Sequence, residues 1–393
     1  MVSGSSPTSK TDSLTTQGFP DSFLLWRNLL TASTLDSHIL IAVDLPGYGG
    51  SDNLSSYGAN ELLEAITEFI AGIREQYLQE SAKLVVVSHD WGGVITARLA
   101  SEAHQLADRF LIASAVIPQH WAGNAFTKAA SAKQMLHTYI RHPLSISLLK
   151  NAFATLKPVL GQLGKSFYVF IFKLPYPLST FFATFGDYWL LKVLHNVAAG
   201  LLGPDGKFKR KLNEQEAMDH LATSTGPGVS QLNLVGDLEY PEAVSKRIHD
   251  LGMSEKIRIY REGLLIGTWE KSLETVVALS EIPASASRHG SRSSGAGLFD
   301  DGPPGAVKAP TTIVYGKHDL GFDRRLALEG ISDYLGRGSQ VVLLEGSGHW
   351  LPIEEFGSRA LERVVQWALG DEAASLGKSI AEFGDKAKML VEK

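Results

Sequence analysis

Five short apolar runs stand out along the chain, each bounded by turn-forming or charged residues: 38–43 (HILIAV), 83–87 (KLVVV), 110–116 (FLIASAV), 311–315 (TTIVY) and 340–344 (QVVLL). They are rich in Val and Ile and do not alternate strictly, which is how strands covered on both faces read. Helical periodicity separates them. Between residues 60 and 78, Leu62, Leu63, Ile66, Phe69, Ile70 and Ile73 recur at helix spacing, and residues 360–369 repeat the pattern. Strands followed by helices in this rhythm predict an α/β fold, a mostly parallel sheet covered by helices on both faces.

Between His120 and about Ser280 the pattern changes to long helical stretches, after which the strands resume. The expected organisation is therefore a first core part over 1–122, an inserted helical cap over 123–282 and a second core part over 306–370; a second independent domain is the alternative to a cap. Residues 283–305 (PASASRHGSRSSGAGLFDDGPPG) lack the apolar content of a core and read as a mobile excursion. In 371–393, Leu376, Ile380, Phe383, Ala387 and Leu390 fall at spacings of three and four, which predicts a C-terminal amphipathic helix.

Composition narrows the chemistry. Hydrophobic residues make up 44% of the 393, and 37 Lys and Arg against 42 Asp and Glu leave a formal charge of only -5, with nothing to attract a polyanion such as nucleic acid. Cysteine is absent, which removes disulfides, thiolate metal sites and thiol catalysis. The most apolar region, 168–202, is interrupted by Lys173, Pro175, Pro177, Asp187 and Lys192, so a membrane span is not expected, although shallow contact with a membrane surface stays open. The first residues hold no apolar leader run, and a cytoplasmic location is the expectation.

The most informative stretch follows the second strand. Ser88-His89-Asp90-Trp91-Gly92 is a small-x-Asp-x-small turn between a buried strand and a helix. Small residues two positions to each side allow the sharp passage, and the central side chain is left exposed at the carboxyl edge of the sheet. Asp90 is the candidate nucleophile; a helix N-cap is the alternative role. The turn resembles the nucleophile elbow of the α/β-hydrolase fold, and His-Asp-Trp-Gly-Gly resembles its epoxide hydrolase branch. In that branch an aspartate attacks a saturated carbon to give an alkyl ester, which activated water then cleaves.

The resemblance extends to both partners. The segment 341–355, VVLLEGSGHWLPIEE, matches the family's catalytic histidine loop and points to His349, and the strand TTIVYG leads into Asp319, the expected orienting acid, with Asp323 as its substitute. Donors to an oxyanion are the backbone amide of Trp91 and, from Gln17-Gly18-Phe19-Pro20, that of Phe19; the family has His where this chain has Gln17. Ala42 to Asp52 (AVDLPGYGGSD) also follows the family wording and is read as scaffold. In the family a strand leads directly into the oxyanion loop, whereas SKTDSLTT is too polar to predict a central strand. An N-terminally truncated chain is therefore expected, or else a makeshift strand.

Within the cap, SFYVFIFKLP resembles the segment carrying the first of two family tyrosines, which maps to Tyr168, and Ile259-Tyr260-Arg261 offers Tyr260 as the second. Two phenols that donate to an opening epoxide oxygen distinguish an epoxide hydrolase from a haloalkane or haloacetate dehalogenase, the alternative enzyme; a non-catalytic relative is the alternative of a different class. The resemblance implies no metal and no organic cofactor, with an apolar aryl or alkyl epoxide and water as reactants and a vicinal diol as product. Self-association as a homo-oligomer stays open.

Overall fold

The computed structural model describes residues 2–3, 11–78, 82–203, 207–228, 240–282, 302–370, 372 and 374–393. Among the described residues, eight strands form one sheet: β1 (Val2–Ser3), β2 (Thr11–Thr16), β3 (Ile39–Val43), β4 (Lys83–His89), β5 (Arg109–Ala113), β6 (Thr311–Gly316), β7 (Gln340–Leu344) and β8 (Ala387–Glu392). Their order is β1-β3-β2-β4-β5-β6-β7-β8. The six inner strands are parallel and both edges are antiparallel, so the carboxyl ends of β2 to β7 share one edge. All five apolar runs are strands, and 110–116 stops early because Ser114 turns to φ 46°.

The expected missing strand is present. Thr11–Thr16 lies between β3 and β4 and pairs with both, from Asp12 opposite Ile39 to Thr16 opposite Ser88. Its place depends on backbone groups that any residue carries, and Leu14, Ser13, Thr15 and Thr16 are small or branched enough to be buried between helical layers. At Ser13, Thr15 and Thr16 the polar groups are hydroxyls, one of which, on Thr15, donates to Ile41 O.

Helices α1 (Ala59–Tyr77) and α2 (Trp91–Glu102) follow β3 and β4. The cap leaves the sheet after β5 and returns before β6. It contains α3 (Pro118–Arg141), α4 (Ile146–Lys165), α5 (Phe167–Phe172), α6 (Tyr176–Ala198, broken at Phe185 to Tyr188), α7 (Glu214–Thr225) and α8 (Leu273–Glu281). Cap residues Phe172, Leu190, Ile257 and Tyr260 belong to the same apolar cluster as Leu14, Val86 and Ile112 of the sheet, so the cap shares a core with it. Helix α9 (Glu355–Leu369) packs on the opposite face through Leu361, Val364 and Val365.

The tail departs from the expected long amphipathic helix. It holds a short helix, Leu376–Ile380, a 3-10 segment and then β8, antiparallel to β7. Gly384 at φ 54° breaks the helical path, and from Ala387 onward inward and outward positions alternate as in a strand. The spacings of three and four concealed a switch to period two, and an open sheet edge decides such a switch. Of the excursion expected at 283–305, residues 283–301 lie outside the described residues.

Candidate active site

Asp90 stands at the carboxyl end of β4 with φ 52° and ψ -120°, a backbone conformation that non-glycine residues adopt at a cost of order 1–3 kcal/mol. Its side chain makes no capping bond to α2, which removes the N-cap role. Instead Asp90 Oδ2 accepts the Phe19 amide at 2.9 Å, and Oδ1 lies 3.5 Å from His349 Nε2. The Trp91 amide also stabilises the carboxylate. Each carboxylate oxygen thus has a different neighbour, an amide on one side and an imidazole on the other.

Tight packing makes this possible. A methyl built on Gly92 would lie 2.7 Å from Gln17 O, so α2 and the loop after β2 can approach only through a glycine. The same loop is held by Asp44 at the end of β3, whose Oδ1 accepts the Gln17 side chain at 3.2 Å and the Phe23 amide at 2.6 Å, while Oδ2 accepts Gly50 N at 2.8 Å. Gln17 therefore supplies a side-chain anchor in the place of the family's histidine. The loop read only as scaffold is a direct buttress of the oxyanion loop. Asp44 at a strand end ahead of several glycines was the available signal.

His349 Nδ1 lies 3.0 Å from Asp319 Oδ2, and Asp319 Oδ1 accepts the amides of Gly321 and Phe322 at 2.7 and 2.9 Å. With one oxygen fixed by amides, the other is aimed at the imidazole. Asp323 is placed elsewhere: it caps the helix Arg324–Leu328 by accepting Arg325 N and pairs with the Arg325 guanidinium. Burial pushes the His349 imidazolium toward deprotonation, but Asp319 and Asp90 together hold its pKa up to about 10. Burial likewise disfavours the Asp90 carboxylate; the contact with His349, the charge of His349 and the Trp91 amide outweigh it and hold Asp90 below the usual range.

Three further residues fix the histidine loop, and sequence reasoning assigned none of them a role. His89 is fully buried, and burial and the neighbouring His349 lower its pKa to about 4, so it is neutral; its Nε2 lies 2.8 Å from His349 O, which requires the proton on that nitrogen. Glu354 accepts Gly348 N at 2.8 Å. Asp21, just beyond the oxyanion loop, accepts the Trp350 indole N–H at 3.0 Å and the Ser224 hydroxyl at 3.2 Å, tying the histidine loop to the cap. Burial raises Asp21 to about 7 despite those bonds and the nearby Lys256. The two loops carrying Phe19 and His349 are thus cross-linked by one carboxyl group.

The cap closes the site with aromatic rings. Tyr260 is buried, with its ring 5.3 Å from Phe19, 5.1 Å from Trp91, 5.7 Å from Tyr168 and 5.3 Å from Phe172. Phe322 faces His349 from the other loop at 6.2 Å. Burial raises the phenols of both tyrosines, and for each the Asp90 charge adds to it, so both remain protonated at neutral pH. Arg261 locks this turn by donating to Phe172 O and, at 2.9 Å, to the Ser179 hydroxyl. Every residue singled out from the sequence except Asp323 converges on one site. Among the described residues no group of three or more His, Cys, Asp and Glu is arranged to hold a metal.

Comparison with known proteins gives the same picture. The chain is 28% identical over 162 residues to epoxide hydrolase 3 of Xenopus tropicalis, covering 40% of this chain and 34% of the relative. It is 31% identical over 108 residues to epoxide hydrolase 2 of Caenorhabditis elegans, covering 27% and 28%. The chain thus spans about a third of the length of these curated relatives. Among solved structures, Bacillus megaterium epoxide hydrolase in complex with an inhibitor aligns with a TM-score of 0.52 at 18% identity, covering 94% of this chain and 95% of that one. Juvenile hormone epoxide hydrolase from the silkworm Bombyx mori aligns at 0.52 and 17%, covering 97% and 74%; at such identities the likeness concerns the fold. Residues 16–367, which span β3 to β7 and the cap, match the family described as "Alpha/beta hydrolase family", and the chain belongs to that family.

Proposed function

We propose that the protein hydrolyses an apolar aryl or alkyl epoxide to a vicinal diol through an ester on Asp90. The observation that carries this reading is the division of the Asp90 carboxylate: Oδ2 is held by the Phe19 amide, while Oδ1 lies beside His349 Nε2, in a site closed by Tyr168 and Tyr260. Oδ1 attacks an epoxide carbon, the carbon–oxygen bond breaks, and the alkoxide takes a proton from a tyrosine hydroxyl. A halide leaving group needs no such proton, and two phenols that hold theirs favour the epoxide.

The second step requires a neutral His349. In the free enzyme two carboxylates keep it charged. Esterification removes the Asp90 charge, and the proton His349 then releases balances the one consumed by the alkoxide, restoring the tyrosine. Neutral His349, oriented by Asp319, next takes a proton from water, and hydroxide adds to the ester carbonyl. Charge develops on Oδ2, where the amides of Phe19 and Trp91 receive it. Collapse releases the diol, returns Asp90 as a carboxylate and leaves His349 protonated, so one water is consumed in all. Rings of Phe19, Trp91, Phe172 and Phe322 around the site support an apolar substituent on the epoxide.

The test is diol formation from styrene oxide, with Asp90→Ala alongside and a single turnover in oxygen-18 water. Diol from the unmodified chain only, with label entering Asp90, is expected. Halide release from a haloalkane with no diol from styrene oxide would overturn the reading in favour of dehalogenation.

A further inference from the structure

Apart from the site, the cap has a surface that hydrolysis does not use. From Pro118 to Gly186 the chain carries six lysines and an arginine and not one Asp or Glu, although the whole protein has a net charge of -5. The same stretch exposes large apolar side chains: Phe126 and Ile140 are 75% exposed, Leu144 is 96% exposed and Phe153 58%. On α4, Ile146, Lys150, Phe153, Lys157 and Leu160 are all exposed and follow one another at four, three, four and three residues, which places them in an arc about 80° wide at helical geometry. Buried Ala152 and Gln162 lie on the far side of that helix. On α3 the exposed residues Phe126, Lys133, His137 and Ile140 follow the same rule. The connection between the two helices, which pack against each other, presents Leu144.

Ordinary surface helices put their polar residues outward and their apolar residues inward. Here the outward stripe of α4 alternates apolar and cationic residues, and that of α3 sets Lys133 between Phe126 and Ile140. Lys133, Lys150 and Lys157 are exposed and make no ion pair with any described residue. No described helix is long and apolar enough to cross a membrane, so the arrangement suits lying on a surface rather than spanning it.

We propose that the α3–α4 hairpin is a docking surface for an anionic lipid membrane, with Ile140, Leu144, Ile146 and Phe153 entering the headgroup region and Lys133, Lys150 and Lys157 pairing with lipid phosphates and carboxylates. Charge decides between this occupant and a second copy of the chain. A two-fold contact of the face with itself would bring lysine against lysine with no carboxylate from the stretch to neutralise them. An anionic bilayer supplies the missing negative charge and an apolar layer beneath it. Docking on this face would also set the cap, which closes the site, against the phase into which apolar epoxides partition.

The experiment is co-sedimentation of the full chain with vesicles of phosphatidylcholine alone or with about a third phosphatidylserine, read without reference to catalysis. Binding to the anionic vesicles is expected, weakening as salt rises from about 0.1 to about 0.5 M. Lys133→Gln/Lys150→Gln/Lys157→Gln should lower the partition coefficient about tenfold or more, and Leu144→Ser/Phe153→Ser should lower it comparably, both at unchanged melting temperature because the side chains are exposed. No binding to either vesicle overturns the proposal. So does equal binding to both, or a dimer in solution that Leu144→Ser/Phe153→Ser disperses while vesicles are ignored.

Discussion

Gly18→Ala is the sharpest perturbation of the proposed oxyanion site, because it adds one methyl group and removes no functional atom. That methyl would lie 2.7 Å from Asp90 Cβ and nearer still to Asp90 Oδ2 and the Trp91 nitrogen, all belonging to the elbow. Ordinary contact begins near 3.4 Å, so the loop must retreat by at least about 0.7 Å. The Phe19 N–H···Oδ2 bond, now 2.9 Å, then passes beyond hydrogen-bonding distance. Losing one donor of this kind costs roughly 100- to 1000-fold in rate, while the overpacking itself costs about 1–3 kcal/mol of stability. The two steps feel the loss differently: alkylation disperses the carboxylate charge, whereas ester hydrolysis concentrates charge on Oδ2. Quenched-flow with intact-protein mass spectrometry should therefore show the Asp90 ester accumulating in Gly18→Ala as diol production falls. A folded Gly18→Ala protein that makes diol within about threefold of the wild-type rate, with no ester accumulation, would refute the assignment of the Phe19 amide.

Four further outcomes are expected. Tyr168→Phe and Tyr260→Phe should each slow alkylation by about 10- to 100-fold, with the double variant slower still, measured as the rate of ester formation in a single turnover. Asp90→Asn removes one of the two carboxylates that raise the His349 pKa, so NMR titration should show His349 losing its proton at lower pH than the about 10 set by the intact site. Asp21 is raised to about 7 in the folded protein from 3.8, so its burial costs nothing below pH 3.8, and stability is lost as pH rises through 7. Asp21→Asn should flatten that decline and melt higher relative to wild type at pH 8 than at pH 5. Arg109, buried and bonded to Glu372, Thr312, Gly338 and Gln340, should cost about 3–5 kcal/mol in urea unfolding when replaced by Ala, because Glu372 loses its bidentate partner.

The sequence by itself determined most of the sheet and singled out the residues that the structure brings together at the candidate site. Runs such as LVVV and VVLL, short, rich in Val and bounded by turn-formers or charges, read as strands covered on both faces, and the Ser88 to Gly92 turn carries its close-packing requirement in its own residues. His349 and Asp319 were legible because each follows a strand that could be located. Where several backbones meet, local pattern gave no guide. Thr11–Thr16 becomes an inner strand only because β3 and β4 offer it hydrogen bonds on both sides, and the C-terminal residues become an edge strand because β7 leaves its outer edge open. Asp319 prevailed over Asp323 through the Gly321 and Phe322 amides, which turn one carboxylate toward His349 and leave the other to cap a helix. The roles of Asp21, Asp44, His89 and Glu354 likewise arise from partners distant in sequence or from loop folds. Side-chain type and spacing are written in the chain, but a hydrogen bond across tens or hundreds of residues exists only once the tertiary structure has brought donor and acceptor together.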